Sequence, residues 1–341
     1  MTPSRKNIAV IGGGIAGMES AINLSLLGFN VVLIEKTGQL GGHVAKWDHI
    51  FPNQRPASEI IEPLILKVNQ LAKIMLNTQV EKIEKIESGF SLIYPDGKIE
   101  ADAVVMATGF NEFNARRKEE YGYGIYDNVI TSIDLEKKFR EESVFVNTRG
   151  KIPAKVAIIH CVGSRDEKVG DAYCSKVCCI TAVKQAIEIK QKSLKTEVFC
   201  FYMDLRMFNL SYEDLYKKAQ LEYGVQFIRG RLSEAFESPE GEVILKVEDT
   251  LSSKPMKLTV DMVILMVGME SPDNTSLVKS SGIETGNHGF ISVADEHLNI
   301  TTTSVAGIFV AGTASGPANI SETIAQSKAL SLAIAQKLIS K

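Results

Sequence analysis

Cysteine spacing is the first feature of this sequence that indicates chemistry. Four of the five cysteines lie close together, as Cys161-x12-Cys174-x3-Cys178-Cys179. Four thiolates are the ligand set of a [4Fe–4S] cluster. A zinc site uses the same ligand type but usually pairs its cysteines as C-x2-C, which is absent. There are two other interpretations: a strained disulfide between the adjacent Cys178 and Cys179, or inert buried thiols. The fifth cysteine, Cys200, stands alone in an apolar strand and is predicted to be a core residue.

A glycine-rich loop near the start of the chain indicates a dinucleotide site. The apolar segment KNIAVI (6–11) predicts a buried parallel strand, and it is followed by a G-x-G-x-x-G match at 12–17. The spacing allows a tight turn, close approach of a pyrophosphate and binding of phosphate at the start of the next helix, predicted at 16–27. Glu35, which follows a second apolar strand, is positioned to accept hydrogen bonds from a ribose. The alternative is a glycine run that only aids helix packing.

Three later segments would serve the same dinucleotide site. GQLGGH (38–43) offers glycines where a backbone could cross a cofactor at short range. DAVVMATG (102–109) and GIFVAGT (307–313) predict buried strands that end in loops. A helix is predicted to begin near Asn319 and Ile320, where its dipole could stabilise negative charge on a bound cofactor.

The cysteines lie where a second nucleotide loop would be expected. A strand is predicted at 154–160 and the following helix at 183–191, but only Gly163 remains of a phosphate loop between them. Side chains at the other positions would obstruct a pyrophosphate, so ordinary NAD(P)H binding is not expected, although weak NAD(H) binding stays open. Asp204 ends the next strand, where a ribose-binding acid would lie. The charged residues 165–168 are predicted to face solvent or a partner.

Composition excludes several function classes. The chain has 341 residues, enough for about two domains at roughly 150 residues each, and a net charge of −3 with no basic excess for nucleic acid. The apolar runs are shorter than the roughly 20 residues that span a bilayer. An odd number of cysteines suits a metal site in a reducing compartment, so the cytoplasm is the expected location.

The order of these motifs resembles that of the flavoproteins with two dinucleotide-binding domains, such as thioredoxin reductase. The resemblance implies an α/β fold with two Rossmann-like domains, the second inserted in the first: an FAD domain at 1–112 and 272–341, and a module at 113–271. Thr313 departs from the family pattern, because an acid that holds the FAD usually follows this glycine. The implied FAD contacts are Gly12, Gly14, Ile15, Ala16, Gly17, Glu35, Lys36, Gly41, Gly42, His43, Val80, Ala107, Thr108, Gly109, Gly312, Thr313, Asn319 and Ile320.

Three segments, CVGSRDEKVGDAYCSKVCC, GGHVAKW and SGPANISETIAQ, resemble the A subunit of heterodisulfide reductase. This resemblance implies a [4Fe–4S] cluster held by Cys161, Cys174, Cys178 and Cys179. It also implies that Lys184 lies near the flavin, a solvent-facing lysine being the alternative. The longer family members carry further cluster-binding domains that this sequence lacks, so it resembles the short form found in the heterodisulfide-reductase-like complex of sulfur-oxidising prokaryotes.

The resemblance predicts an oxidoreductase: an electron-transfer subunit that couples flavin chemistry to thiol/disulfide conversion, with partners similar to the B and C subunits of that enzyme and a homodimeric state. Two other function classes stay open. One is an NAD(P)H-dependent disulfide reductase that acts alone, which should have a second glycine fingerprint and a redox C-x-x-C motif; the sequence has neither. The other is a scaffold that retains a flavin only for stability.

Overall fold

A computed structural model describes residues 5–339. The chain divides into two compact units. The first contains residues 1–45, 57–111 and 270–341, and the second contains 46–56 and 112–269. These bounds differ from the predicted domains mainly at 46–56, which the motif order assigns to the FAD domain and which belongs to the second unit.

Strands and helices follow one another along the described chain from Asn7 to Ile339. The strands are β1 (Asn7–Ile11), β2 (Asn30–Ile34), β3 (His49–Ile50), β4 (Arg55–Pro56), β5 (Lys73–Met75), β6 (Lys82–Ile86), β7 (Gly89–Tyr94), β8 (Gly97–Ala101), β9 (Ala103–Met106), β10 (Asn111–Glu112), β11 (Val129–Thr131), β12 (Lys155–Val162), β13 (Glu197–Tyr202), β14 (Gln226–Glu237), β15 (Val243–Asp249), β16 (Lys254–Val260), β17 (Met262–Val267), β18 (Met269–Glu270) and β19 (Ile308–Val310). The helices are α1 (Ile15–Leu26), α2 (Ser58–Leu71), α3 (Ser132–Glu141), α4 (Cys178–Lys192), α5 (Leu210–Leu221), α6 (Thr275–Ser281) and α7 (Ile320–Ile339).

A five-stranded parallel sheet forms the centre of the first unit, in the order β19-β9-β1-β2-β5. Helices α1, α2 and α7 cover one face of this sheet, and the antiparallel sheet β6-β7-β8 and helix α6 contribute to the apolar layer on the other. Apart from the exposed first residues Asn7, Asn30 and Lys73, the strands of this sheet are apolar, as expected where both faces are covered. The carboxyl ends of β1, β2, β9 and β19 therefore meet at one edge, which is where the predicted cofactor segments lie.

The second unit is built on a seven-stranded sheet, in the order β11-β17-β12-β13-β14-β15-β16. Its strands run parallel from β11 to β14, and β14, β15 and β16 form an antiparallel meander. Helices α3, α4 and α5 pack on one face. The strand β12, in the middle of the five parallel strands, carries Cys161 close to its carboxyl end. The predicted α/β class with two Rossmann-like domains is confirmed.

Candidate functional site

The glycine loop after β1 contains two glycines that the fold itself requires. Gly12 has a φ of 109°, and a Cβ there would overlap the carbonyl oxygen of Ala107. A Cβ on Gly17 would overlap the carbonyl group of Gly12, so α1 can approach β1 only where this residue has no side chain. Both positions therefore reflect the tight turn and the close helix packing that the motif predicts.

Gly14 differs from these two glycines because open space lies beside it. The nearest atom to a Cβ on Gly14 would be the Cα of Gly42, at 4.0 Å. Gly14 is also the N-cap of α1, and it supplies no side-chain hydrogen bond to the helix. An uncapped helix N-terminus beside an open glycine face fits the pyrophosphate of a dinucleotide.

Glu35, at the end of β2, orders this loop directly. Its Oε2 accepts a hydrogen bond from the Gly13 N–H at 2.6 Å, and its Oε1 accepts from the backbone and hydroxyl of Thr37 at 2.8 Å each. A carboxylate offers about four acceptor sites, so roughly one is left for a ribose hydroxyl. The side chain therefore shapes the loop and retains the capacity for the predicted ribose contact.

The second glycine pair packs against the first loop. The Gly41 N–H donates to the Gly13 carbonyl at 2.8 Å, and a Cβ on Gly42 would lie 3.1 Å from the Cα of Gly14. His43 stacks on the ring of Phe110 with 4.0 Å between ring centroids, and its Nε2 is 2.7 Å from the Phe110 carbonyl oxygen. The structure thus brings residues 12–14, 35 and 41–42 together, as the resemblance implies.

The C-terminal segment completes the same edge of the sheet. A Cβ on Gly312 would lie 2.7 Å from the Cβ of Ala16, in the first turn of α1, and the hydroxyl of Thr313 would lie 4.0 Å from a Cβ on Gly109. Helix α7 begins at Ile320, as predicted. Asn319 and Glu322 exchange hydrogen bonds of 3.0 and 2.9 Å and so form a capping box at this helix start.

The remaining predicted contacts have mixed surroundings. Ala107 is buried, and Thr108 accepts a hydrogen bond of 3.0 Å from the side chain of Asn274. Lys36 is exposed, whereas Val80 is packed in the apolar layer with Ile34. Packing in this apolar layer alone explains why position 80 is a valine. The contact of Val80 with the cofactor therefore stays a prediction.

Cys161 has an unusual backbone in the second unit. Its φ is 57°, in the left-handed region, although it is not a glycine. The pairing of β12 with β17 shifts register between Ile159 and Val162, which is the sign of a β-bulge at this point. Bulges turn a side chain away from its regular direction and are frequent beside functional sites. The orientation of this thiol therefore carries a conformational cost that the rest of the fold sustains.

Cys178 and Cys179 are the first two residues of α4. The sequence predicts this helix over 183–191, and it allows the two adjacent cysteines to share a cluster only if the backbone there is irregular. The helix instead begins at Cys178, so the two side chains point in different directions. Cys178 packs in the apolar core with Cys200, which is buried as predicted, and the Sγ of Cys179 is 3.8 Å from the carbonyl oxygen of Asp204.

The four thiols nevertheless influence one another electrostatically. Burial raises the pKa of Cys161 to about 12, the neighbouring thiols of Cys179 and Cys174 contribute to this increase, and Arg165 opposes it. Burial also raises the pKa of Cys178, again with contributions from Cys161, Cys179 and Cys174. Four thiolates at this site would therefore repel one another in a poorly solvated region, and a bound cation would relieve that repulsion.

Within residues 5–339, no group of three or more His, Cys, Asp or Glu side chains is arranged to hold a metal ion. A [4Fe–4S] cluster needs a wider arrangement of ligands than a single metal ion. Each of its four irons binds one thiolate, so the four sulfur atoms lie around the whole cluster. The mutually repelling set of Cys161, Cys174, Cys178 and Cys179 fits such a group in ligand type and number.

The missing phosphate loop has a structural counterpart. Gly163 has a φ of 69°, and a Cβ there would overlap the ring of Phe113, which fills the space beside it. Asp204, the candidate ribose acid, forms a two-pronged ion pair with Arg165 and lies 3.5 Å from Arg206. Gly163 therefore serves packing, and Asp204 is engaged by cations of its own unit.

One expectation about the charged loop is wrong. Asp166 does not face solvent but is buried, where it pairs with Lys118 at 2.9 Å and Arg231 at 3.0 Å. These cations come from distant parts of the sequence, so the pattern at 165–168 does not reveal them.

Lys184 is completely buried, so the solvent-facing interpretation of this residue is wrong. Its Nζ donates hydrogen bonds to the His49 carbonyl oxygen at 2.9 Å and to Glu136 Oε1 at 2.6 Å. It also lies 2.9 Å from Glu188 Oε2 and 5.5 Å from the centre of the Trp47 ring. Sequence reasoning missed these partners because they come from separate segments that only the fold unites.

Replacing Lys184 by Met should destabilise the protein by about 3–5 kcal/mol, because the change leaves the buried carboxylate of Glu136 without its cation, next to the buried carboxyl group of Glu188. Chemical denaturation measures this loss. Lys192→Met, on an exposed position of the same helix, is the control and should change the free energy of unfolding by less than about 0.5 kcal/mol. Equal stabilities of the two variants would contradict the pairing.

Comparison with known proteins places this arrangement in a family. The family model described as pyridine nucleotide-disulphide oxidoreductase matches residues 6–160 and 179–328. The chain belongs to this family and is therefore an oxidoreductase, as predicted. The match omits 161–178, the segment that carries Cys161, Cys174 and Cys178.

Curated relatives narrow the similarity to one kind of subunit. The iron-sulfur A 1 subunit of the CoB–CoM heterodisulfide reductase of Methanopyrus kandleri is 32% identical over 94% of this chain and 62% of the relative. The A subunit of the H(2)/formate:CoB-CoM heterodisulfide,ferredoxin reductase of Methanococcus maripaludis is 33% identical over 97% of this chain and 64% of the relative. The predicted similarity to the A subunit of heterodisulfide reductase is confirmed, and the chain spans slightly less than two thirds of these relatives.

Solved structures agree on the fold. The thioredoxin reductase of T. acidophilum has a TM-score of 0.68 at 19% identity, with coverage of 98% of this chain and 100% of its own. The thioredoxin reductase of Lactococcus lactis has a TM-score of 0.71 at 17% identity, with coverage of 99% and 100%. In the part of the chain that the structure describes, no helix is long and apolar enough to cross a membrane.

Proposed function

We propose that this chain is the FAD and [4Fe–4S] containing electron-transfer subunit of a heterodisulfide reductase-like complex, and that it couples flavin redox chemistry to thiol/disulfide conversion in sulfur metabolism. One observation carries the proposal. The match to the oxidoreductase family is interrupted over 161–178, where a strained strand end presents Cys161 and where Cys174 and Cys178 follow. The chain thus replaces the family's second nucleotide loop with thiols.

The first unit supplies the FAD site in this proposal. The open face of Gly14 and the N-terminus of α1 receive the pyrophosphate, and Glu35 accepts from the ribose while it keeps the loop in place. The N-terminus of α7, fixed by the capping box of Asn319 and Glu322, supplies a positive dipole end for negative charge on the isoalloxazine ring. Thr313 offers a hydroxyl where the family pattern has an acid.

The second unit supplies the cluster ligands. The ligands are the thiolates of Cys161, Cys174, Cys178 and Cys179. Arg165 offsets part of their negative charge, because it opposes the increase in the pKa of Cys161. Bound FAD could take two electrons from a donor and pass them one at a time to the cluster, whereas a nicotinamide transfers its two electrons together as a hydride. The protein contributes position and electrostatics. Lys184 belongs to this proposal as a residue that modulates the flavin, its charge being moderated by Glu136 and Glu188.

The cluster is the carrier through which electrons enter or leave toward another protein. The proposal therefore includes partners similar to the B and C subunits of heterodisulfide reductase. It also includes a homodimer of this chain and a cytoplasmic location. The family name favours a second candidate, an NAD(P)H-dependent disulfide reductase that acts alone. Two features oppose it: Phe113 packs on Gly163 where a phosphate would approach, and the sequence has no C-x-x-C motif.

Anaerobically purified protein is expected to contain about one FAD, four irons and four sulfides per chain, and to show both flavin and iron-sulfur absorption. The expected stoichiometry follows from one glycine-loop site and one set of four cysteines. Acid precipitation should release the flavin, because the loop at 12–17 has no Cys or His for covalent attachment.

Activity measurements separate the two candidates. The isolated chain should reduce disulfides slowly or not at all with NADPH, and turnover should appear when the partner subunits are added. Iron-free protein with rapid NADPH-driven disulfide reduction would support the second candidate. A protein without flavin would contradict both.

A further inference from the structure

The buried lysine of the second unit has more negative charge around it than it can neutralise. Lys184, Glu136 and Glu188 are 0%, 1% and 5% exposed. One ammonium group faces two carboxyl groups, at 2.6 Å for Glu136 Oε1 and 2.9 Å for Glu188 Oε2. Burial of an uncompensated charge is costly, so one of these three groups is expected to change its protonation state.

Glu136 has the hydrogen bonds of a carboxylate. Its Oε1 accepts from Lys184 and from Gln185 Nε2, both at 2.6 Å, and its Oε2 accepts from the Asp48 N–H at 3.1 Å. All three partners are hydrogen-bond donors, and the two oxygens of Glu136 act only as acceptors. Glu136 is the natural counterion of Lys184.

Glu188 has a different environment. It lies within ion-pair distance of Lys184, but the angles are not those of a hydrogen bond, and neither of its oxygens has a hydrogen-bond partner among the described residues. Burial raises the pKa of Glu188 to about 8, Lys184 opposes this increase, and Glu136 and Asp48 add to it. Glu188 is therefore the group that binds a proton.

His49 connects this carboxyl group with the surface. Its Nδ1 is 2.9 Å from Asp48 Oδ2 and 3.6 Å from Glu188 Oε1, and its side chain is 35% exposed. Its carbonyl oxygen accepts a hydrogen bond from Lys184. His49 therefore lies between the buried carboxyl group of Glu188 and solvent.

We infer that Lys184, Glu136 and Glu188 form a buried proton-binding site that holds one exchangeable proton at neutral pH, on Glu188, and that the partly exposed His49 lies between this site and solvent. The charged and titratable groups that face Glu188 are Lys184, Glu136, Asp48 and His49. With the proton on Glu188, the buried groups are neutral as a set; without it they carry one negative charge. The site is thus an electrostatic switch around Lys184. It goes beyond the proposed function and needs neither cofactor.

The pH dependence of unfolding tests the proton. A carboxyl group whose pKa is higher in the folded than in the unfolded protein binds more protons when folded, so its contribution to stability is lost as the pH rises. Between about pH 4.5 and 8, this group should raise the unfolding equilibrium constant up to about tenfold per pH unit. Glu188→Gln should remove that contribution, whereas the control Glu222→Gln, at an exposed position, should keep it. The same pH dependence in wild type and Glu188→Gln would overturn the inference.

Infrared spectroscopy of the full-length chain near neutral pH locates the proton. We expect the carbonyl band of a protonated carboxylic acid in the wild type and in the control Glu222→Gln, and its loss in Glu188→Gln. A band that survives in Glu188→Gln, or that is absent from the wild type, would refute the site. These readouts do not depend on bound flavin or iron, so they can fail while the proposed function holds.

Discussion

Gly14→Val is expected to purify as a folded protein without flavin. The native backbone at Gly14 is extended, with a φ of −75° and a ψ of −172°, so a valine can adopt it. A Cβ there meets no protein atom closer than 4.0 Å, and the side chain would instead occupy the space that we assign to the pyrophosphate. The loss is therefore of ligand space and not of protein packing. The dissociation constant of the flavin should rise by far more than the factor of about ten that about 1.4 kcal/mol of lost binding energy gives, so little flavin should remain after purification.

Gly286→Val is the matched control for this variant. Gly286 lies in the same unit, is exposed, and a Cβ there would also have its nearest neighbour at 4.0 Å, the hydroxyl of Ser292. The flavin absorbance of both variants is compared with that of the wild type, and circular dichroism confirms that each is folded. Full flavin retention in Gly14→Val would contradict the assignment of the loop. Equal loss in both variants would show that the effect is not specific to Gly14.

Four single serine variants are expected to lose most of the iron: Cys161→Ser, Cys174→Ser, Cys178→Ser and Cys179→Ser. Serine keeps the shape of the side chain but replaces the thiolate that iron prefers. Iron and sulfide analysis together with the electron paramagnetic resonance spectrum of the reduced protein measure the loss. Cys200→Ser is the control, because Cys200 is a fully buried thiol on the strand next to that of Cys161, and its replacement should leave the iron content unchanged.

The helical start at Cys178 makes this series informative about each ligand. Cys178 packs in the apolar core, whereas Cys179 lies near the Asp204 carbonyl, so one cluster can bind both only if the first turn of α4 adjusts. If one of the two serine variants retains all its iron, the corresponding residue is not a ligand. If every variant, including Cys161→Ser, retains its iron, the cluster site itself is refuted.

The sequence is most informative where local chemistry determines structure. The glycines at 12 and 17 are required by backbone contacts among segments that the motif itself defines, and the start of α7 follows from a capping pair three residues apart. The alternation of buried strands and helices is likewise readable, because a parallel sheet covered on both faces needs continuous apolar strands.

The sequence is least informative where distant segments meet. His49 and Glu136 surround Lys184, and Lys118 and Arg231 surround Asp166, but nothing in the local pattern of any of these residues marks it as a partner. Helix α4 begins five residues before its predicted start. The predicted start is late because the cysteine spacing is typical of a ligand-bearing loop. Segment 46–56 is a further case, because the motif order assigns it to the first domain whereas its contacts group it with the other unit.

The left-handed backbone of Cys161 has an evolutionary consequence. A residue with a Cβ in this region costs about 1–2 kcal/mol relative to glycine, and most proteins have only about 5–15 kcal/mol of stability in total. Drift under selection for stability alone would therefore replace this cysteine by glycine, and the thiol persists in a lineage only while its function outweighs that gain. Under the proposed function, a descendant that no longer binds the cluster should therefore lose Cys161 early.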